Sequence, residues 1–295
     1  MDEDIKDKFD RLDDVPREFT EGVERTQRQI MDRMEKLLSQ METKDGQFVF
    51  SDKNLAALES IDNELKNIFF SPAYEKDLKN FASEFNKQAA INDTYFSGIV
   101  NDYEVKPIYQ STVRVAQRNT IELLTGDNFT QPLMTPLKEL LNTAITNEGS
   151  YYETLQGLRK LIVGNDEIPG KLLSHAKRVT YDGFAISDRN YTTIVSKDLG
   201  LEFYRMSGST VKDSRCFCLE RINKYFHRKE IEDWGDGKNV GKCGHPWQGM
   251  NSLTNKDNIF ALAGGYNCKH SFLPVAERSV PKSVIDRNKE NVNVK

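Results

Sequence analysis

The sequence predicts an α+β protein, with an N-terminal helical bundle followed by a smaller α+β domain that contains a short antiparallel sheet. Three observations predict this class. Apolar residues recur at helical spacing through the first half of the chain. Two short β-prone runs, 201–206 and 258–263, follow a long helical pattern in the second half. The length of 295 residues also exceeds the roughly 250 beyond which one hydrophobic core usually divides into two.

These patterns divide the chain into four segments. Residues 1–15 carry a dense run of charges, and we expect a frayed or partner-dependent tail there. Residues 16–148 are expected to form the helical domain, and residues 149–277 the α+β domain. Residues 278–295 are polar, and we expect them to form a flexible tail.

The helical domain is expected to begin at Pro16 with an amphipathic helix. Val23, Ile30 and Leu37 recur at heptad spacing along it. This seam is about three heptads long, which favours packing on the next helix over self-association as a coiled coil, the alternative that the pattern leaves open.

Capping residues indicate where further helices begin and end. Ser51 and Ser150 are expected to be N-caps, and Pro136 suits the first turn of a helix. A long helix is expected over Lys171–Asp198, with Gly200 as a left-handed C-cap.

Composition excludes several classes of protein. No apolar run approaches the roughly 20 residues that a membrane span needs. The charged N-terminus is unlike a secretory signal, so synthesis and assembly in a cytoplasm are expected. A net charge of −4 argues against a dedicated nucleic-acid binder, which usually carries a large basic excess. Four cysteines in a chain of this length do not make a disulfide framework, so reduced thiols are expected.

The most informative stretch follows the first strand candidate, and its motifs come in a definite order. They are Ser207-Gly208, Lys212-Asp213-Ser214-Arg215-Cys216-Phe217-Cys218, Tyr225-Phe226-His227, a short helix to Trp234, Trp247-Gln248-Gly249-Met250-Asn251, the apolar run ending at Ala263, and Gly264-Gly265-Tyr266-Asn267-Cys268-Lys269-His270-Ser271. This order of strand, Ser-Gly turn, Asp-x-Arg-x-x-Cys, Phe-containing hairpin and late Cys-basic-His segment resembles the C-terminal domain of Mu F-like phage minor head proteins.

The resemblance covers roughly residues 150–277 and has one departure. The family often ends in a His-Pro-x-Cys-Arg-Cys type segment, whereas here His245-Pro246 lies well upstream and Asn267-Cys268-Lys269-His270 stands at the end.

The resemblance implies a minor capsid protein that acts in head morphogenesis near the portal, in DNA packaging and in DNA ejection. Its implied partners are the phage portal and the major capsid or scaffold proteins. It implies a place in the virion after assembly in the host bacterial cytoplasm, with no membrane partner and no small-molecule substrate. A weak contact with packaged DNA is a further hypothesis, because Tyr225, Phe226 and Phe272 lie among basic residues and could stack on bases.

Six residues of this stretch are expected to have structural roles. Asp213 can accept backbone N–H bonds at a turn, and the Arg215 guanidinium can bridge loop carbonyls. Trp234 and Trp247 are expected to be structural aromatics. Gly264-Gly265 indicates a turn, because no helix or Gly-rich phosphate loop follows it.

Three close pairs of metal-competent residues occur here, namely Cys216-x-Cys218, Cys243-x-His245 and Cys268-x-His270. A structural zinc site needs four thiolate or imidazole ligands, and the candidate set is Cys216, Cys218, Cys268 and His270. The alternative is that Cys218 and Cys268 are neighbouring small buried residues, able to oxidise in a mature virion.

No pairing of a nucleophile with a base can be read from the sequence, so we assign no catalytic residue and expect no enzyme. The alternative is a zinc-dependent nuclease or a transferase-type effector carried in the phage head. A nuclease would need carboxylates beside the histidines to activate water on a metal. Glu230, Glu232 and Asp233 are the nearby acids, and a solvated helix is expected to carry them.

Overall fold

A computed structural model of the chain describes residues 2–212, 214–241 and 251–292. Its helices are α1 (Asp2–Ser39), α2 (Asp52–Phe69), α3 (Pro72–Ile99), α4 (Pro107–Leu123), α5 (Gly126–Thr146), α6 (Tyr151–Ile162), α7 (Lys171–Asp198), α8 (Cys216–Leu219), α9 (Arg228–Gly235), α10 (Ile259–Leu262), α11 (Lys282–Arg287) and α12 (Lys289–Val292). Its strands are β1 (Thr43–Lys44), β2 (Gln47–Phe48), β3 (Phe203–Gly208), β4 (Tyr225–His227) and β5 (His270–Val275). The α+β class is confirmed. Among the described residues, none of the helices combines the length and apolar character needed to cross a membrane.

The chain forms two compact units, each made of separate segments. Unit 1 comprises Met1–Val15, Ser83–Asn119 and Tyr181–Lys295, and unit 2 comprises Pro16–Ala82 and Thr120–Thr180. This differs from the linear division into 16–148 and 149–277. The reason is that α1, α3, α4 and α7 each contribute residues to both units. Hydrophobic periodicity shows which face of a helix is buried, but not which core that face joins.

Unit 2 is a helical assembly with the small β1–β2 hairpin. The heptad positions Val23 and Ile30 of α1 are fully buried, as the sequence predicts. The two predicted N-caps are confirmed, because Ser51 accepts a hydrogen bond from the Asn54 N–H and Ser150 accepts one from Glu153.

Two prolines lie deeper in helices than the sequence predicts. Pro16 and Pro136 are expected at helix starts, but Pro16 lies inside α1, and α5 contains both Pro132 and Pro136. An interior proline costs a helix about 3 kcal/mol. In α5 the fully buried positions Phe129 and Leu137 lie on either side of these prolines, and burial on this scale offsets such a cost.

Unit 1 contains the three-stranded antiparallel sheet, in the order β4-β3-β5. Phe203 pairs with His227 on one side and with Val275 on the other, and Gly208 pairs with His270. The run 258–263, expected as a strand, instead forms the short helix α10. A brief apolar run does not distinguish a strand from a buried helical turn, and here Ile259 and Phe260 are both buried in the helical form.

The described parts of both expected tails form helices. Residues 1–15 are expected to fray, but α1 begins at Asp2, and Phe9, Leu12 and Val15 are buried. In the sequence, the many charged residues of this segment obscure the helical spacing of its apolar residues. Residues 278–295 are expected to be flexible, but the described part continues from the 3-10 turn Glu277–Ser279 into α11 and α12.

The C-terminal helices are anchored by apolar contacts in unit 1. Val280 and Val284 are buried in one cluster with Phe203 of β3 and Val275 of β5. The last residues, 293–295, lie outside the described part of the chain.

Candidate metal centre

Three of the four candidate ligands converge in the interior of unit 1. The Sγ atoms of Cys218 and Cys268 are 3.8 Å apart, and Sγ of Cys268 is 3.7 Å from Nδ1 of His270. The three side chains are buried, and their ligand atoms lie within 4.8 Å of one another. A group of this kind could bind a metal ion.

Two of the three distances between the candidate ligand atoms agree with tetrahedral coordination. Zn–S bonds of about 2.3 Å and Zn–N bonds of about 2.0–2.1 Å place two sulfur ligands about 3.8 Å apart, and a sulfur and a nitrogen about 3.6 Å apart. The observed distances, 3.8 Å and 3.7 Å, match this geometry. The other ring nitrogen of His270, Nε2, is buried without a hydrogen-bond partner among the described residues.

Each ligand is positioned by a different local structure. Cys218 lies on the single-turn helix α8, and His270 is the first residue of β5, held in register opposite Gly208 of β3. Cys268 lies in the turn between α10 and β5, where its N–H donates to the carbonyl oxygen of Gly265. Gly265 has φ +94°, a conformation that glycine adopts without steric cost.

Gly264 lies against both thiols. A Cβ atom at this position would stand 2.5 Å from Sγ of Cys218 and 2.8 Å from Sγ of Cys268, and its backbone N–H donates to the Cys268 sulfur at 3.3 Å. The Gly264-Gly265 pair, expected only as a turn, is therefore part of the wall of the cluster.

Arg189 of α7 holds the Cys268 turn, and sequence reasoning missed it. Its buried guanidinium donates to the carbonyl oxygens of Cys268 and Ala261 and to Oγ of Ser271. The signal that could have identified it is a charged residue on a helix face shared with Ala185 and Thr192, both of which are buried.

The remaining motif residues are distributed around this cluster. Arg215 donates to the carbonyl oxygen of Tyr266 at 2.8 Å. Trp234 is buried and makes an edge contact with Phe226, with ring centroids 4.7 Å apart. Phe226 and Phe272 are both buried in the same core, so neither ring is available to stack on a base. Asp213, Trp247 and the Cys243-x-His245 pair lie outside the described residues.

Cys216 does not join the cluster, although the sequence suggests it as a ligand. Its side chain is exposed on α8 and is disulfide-bonded. Cys218 and Cys268 are free thiols, so the expected reduced state applies to these two and not to Cys216. A residue two positions from Cys218 on one helical turn points away from the side that Cys218 presents to the core.

The contact between the two thiols shifts their pKa values in opposite directions. The hydrogen bond that Cys218 makes with Cys268 raises the pKa of Cys218, and burial raises it further. The same hydrogen bond lowers the pKa of Cys268 well below its ordinary value. Burial acts in the opposite direction, whereas the hydrogen bond to His270 and the positive charge of Arg189 lower this pKa further. Cys268 is therefore the more acidic thiol of the pair, and the thiolate is the form of cysteine that binds a metal.

Comparisons with protein-family models, with curated proteins and with solved structures each found no match.

Proposed function

We propose that this chain is a non-enzymatic minor head protein of the Mu F-like class, and that a zinc ion holds together the sheet-containing part of unit 1. One observation supports both parts of the proposal. Several of the described motifs that carry the resemblance, although spread over more than fifty residues, lie in or beside one buried cluster: Gly208 pairs with His270, Arg215 binds the Tyr266 carbonyl, and Gly264 packs on Cys218 and Cys268.

Zinc is the metal that the donor set favours. Two thiolates and an imidazole are soft or borderline ligands, which suit zinc and not the hard cations magnesium and calcium. Two thiolates also neutralise the charge of a divalent ion, so the loaded centre would carry no net charge into the core. A zinc ion bound at this point would link α8, the Cys268 turn and the first residue of β5.

The proposed role lies in contacts made during head assembly. The partners are the phage portal and the major capsid or scaffold proteins, and the places of action are the bacterial cytoplasm during assembly and the virion afterwards. Roles in genome packaging and DNA ejection belong to the same proposal, as does a weak contact with packaged DNA made without the buried rings of Phe226 and Phe272. A metal-held turn suits this role because it fixes the shape of a surface without requiring chemistry there.

The rival function is a zinc-dependent nuclease or a transferase-type effector carried in the head. It is kept because three protein ligands leave the fourth position of a tetrahedral ion open to water. Against it, the described metal-competent group contains no carboxylate that could serve as a general base. DNA cleavage by the purified, zinc-loaded chain, lost in His270→Ala, would favour the rival.

The assembly role is tested with particles. Electrophoresis of purified virions, empty shells and ejected material should show the chain in virions. Phage that lack the gene should form shells of normal size that package poorly or fail to deliver DNA. Normal infectivity without the chain would overturn the proposal. If a small, catalytic amount of the free protein restored infectivity to such phage, the result would favour the rival function.

A further inference from the structure

The first turns of α1 lie on the loop that carries two of the candidate metal ligands. Oδ2 of Asp13 is 2.6 Å from Nζ of Lys269, the residue between Cys268 and His270. The two charged side chains are each about one-third exposed, so this is a semi-exposed ion pair that joins residues 256 positions apart. The N-terminal segment is thus in direct contact with the loop that carries Cys268 and His270.

Apolar side chains of the same segment cover Cys268. Phe9 and Leu12 are buried and line one narrow cavity together with Cys268 and Asn267. This cavity is on the side of the Cys268 turn that faces α1. The segment therefore separates this side of the Cys268 turn from solvent.

A second connection runs through α7. Nζ of Lys8 is buried, 3.1 Å from Oδ1 of Asp188 and 2.6 Å from Oδ1 of Asn92. Asp188 is followed directly by Arg189, whose guanidinium holds the backbone of the Cys268 turn. One turn of α7 thus fixes both the N-terminal segment and the metal-binding turn.

We propose that metal binding at Cys218, Cys268 and His270 is coupled to docking of residues 5–15 of α1, which form a strap over the centre. The inference rests on the proposed zinc site. Zinc would fix the backbone around Lys269, and so would favour the docked strap. Because binding free energies are reciprocal, a docked strap must favour retention of zinc to the same extent. Undocking uncovers Cys268 and opens a route for metal exchange.

The test uses the full chain, Zn²⁺ as the probe and two readouts. The first is the rate at which zinc passes to an excess of a coloured chelator, and the second is hydrogen exchange of residues 5–15 with and without zinc. Removing zinc from the wild-type protein should accelerate exchange in the strap. Asp13→Asn should release zinc about two- to fivefold faster, the effect of losing one semi-exposed ion pair. Leu12→Ala, which thins the apolar cover, should also accelerate release.

Asp62→Asn is the matched control. It removes an exposed ion pair with Lys138 in unit 2, and it should leave both readouts unchanged. Suppose that zinc binds the wild-type chain, that hydrogen exchange in the strap is the same with and without zinc, and that both strap variants release zinc at the wild-type rate. The proposed coupling is then overturned, and the zinc site is unaffected. If the wild-type chain takes up no Zn²⁺, the zinc proposal fails and the coupling fails with it.

Discussion

Gly264 packs so closely on Cys218 that a Cβ atom added to it would stand 2.5 Å from the cysteine Sγ. No pair of unbonded atoms of this kind tolerates that distance, and the Sγ of Cys268 is almost as near, at 2.8 Å. The absence of a side chain at residue 264 is therefore what allows two thiols to meet at 3.8 Å beneath the turn.

Gly264→Ala should destabilise the protein by about 1–3 kcal/mol, the usual cost of overpacking a core, and should weaken zinc binding because the thiols must separate. Urea unfolding and zinc titration would measure the two effects. Gly98→Ala in α3 is the control: its Cβ would meet nothing within 4 Å, and alanine is favoured over glycine in a helix by up to about 1 kcal/mol. Wild-type stability and zinc affinity in Gly264→Ala would contradict the arrangement.

Cys268→Ser should remove the metal. We expect about one zinc per chain in wild-type protein purified without chelator, none in Cys268→Ser, and a fall in stability larger than the 1–3 kcal/mol typical of a modified buried thiol. Metal analysis and thermal unfolding would test this. Asp62→Asn, which removes an exposed ion pair in unit 2 away from the cluster, is the control and should keep its zinc. If metal analysis finds no zinc in the wild-type protein, the proposal of a zinc site is wrong.

Lys8→Met should lower the free energy of unfolding by about 3–5 kcal/mol, because it leaves Asp188 buried without its cationic partner. Burial lowers the pKa of Lys8, while the charge of Asp188 opposes that shift, so the pair depends on both members. Adding Asp188→Asn to Lys8→Met should recover part of the loss. A double-mutant cycle by urea unfolding measures the coupling, and a single-variant loss below about 1 kcal/mol would be incompatible with a buried pair.

Asp198 should make stability sensitive to acid. Hydrogen bonds from Lys106 and Tyr109, the larger from Lys106, lower the pKa of Asp198 below its ordinary value. A carboxyl group with a lowered pKa stabilises the fold above the unfolded pKa of about 3.9, and this contribution is lost as the pH falls through the folded value. The stability difference between wild type and Asp198→Asn should therefore be constant above about pH 5 and shrink toward pH 2. A difference that does not change with pH would refute this.

Local signals in the sequence defined one long helix, whereas α1 and α5 begin earlier than predicted. The predicted helix Lys171–Asp198 is α7 to the residue, because a capping glycine and a regular apolar face are both encoded within one segment. The secondary-structure prediction was wrong where a segment's conformation depends on contacts with residues far away in the sequence. The run 258–263 is a helix because Ile259 and Phe260 meet a core built by β3, β4 and β5, and no local pattern reports that core.

The candidate centre follows the same rule. Cys218, Cys268 and His270 could be nominated from spacing and residue type, whereas the exclusion of Cys216 depends on which side of a short helix faces the core. Arg189 lies 79 positions before the carbonyl that it holds, and contacts over such separations leave no periodic trace in a single sequence.

The placement of residues 2–15 in unit 1 also orders events during synthesis. Phe9 and Leu12 are synthesised well before the α7 and Cys268 surfaces that bury them, which come from residues 181–269. At about 5–20 residues per second, these apolar side chains wait on the order of 10–50 s for their binding surface. A chaperone that recognises short apolar helices would find its target in that interval. The nascent chain must therefore keep the start of α1 soluble until residues 181–269 have been made.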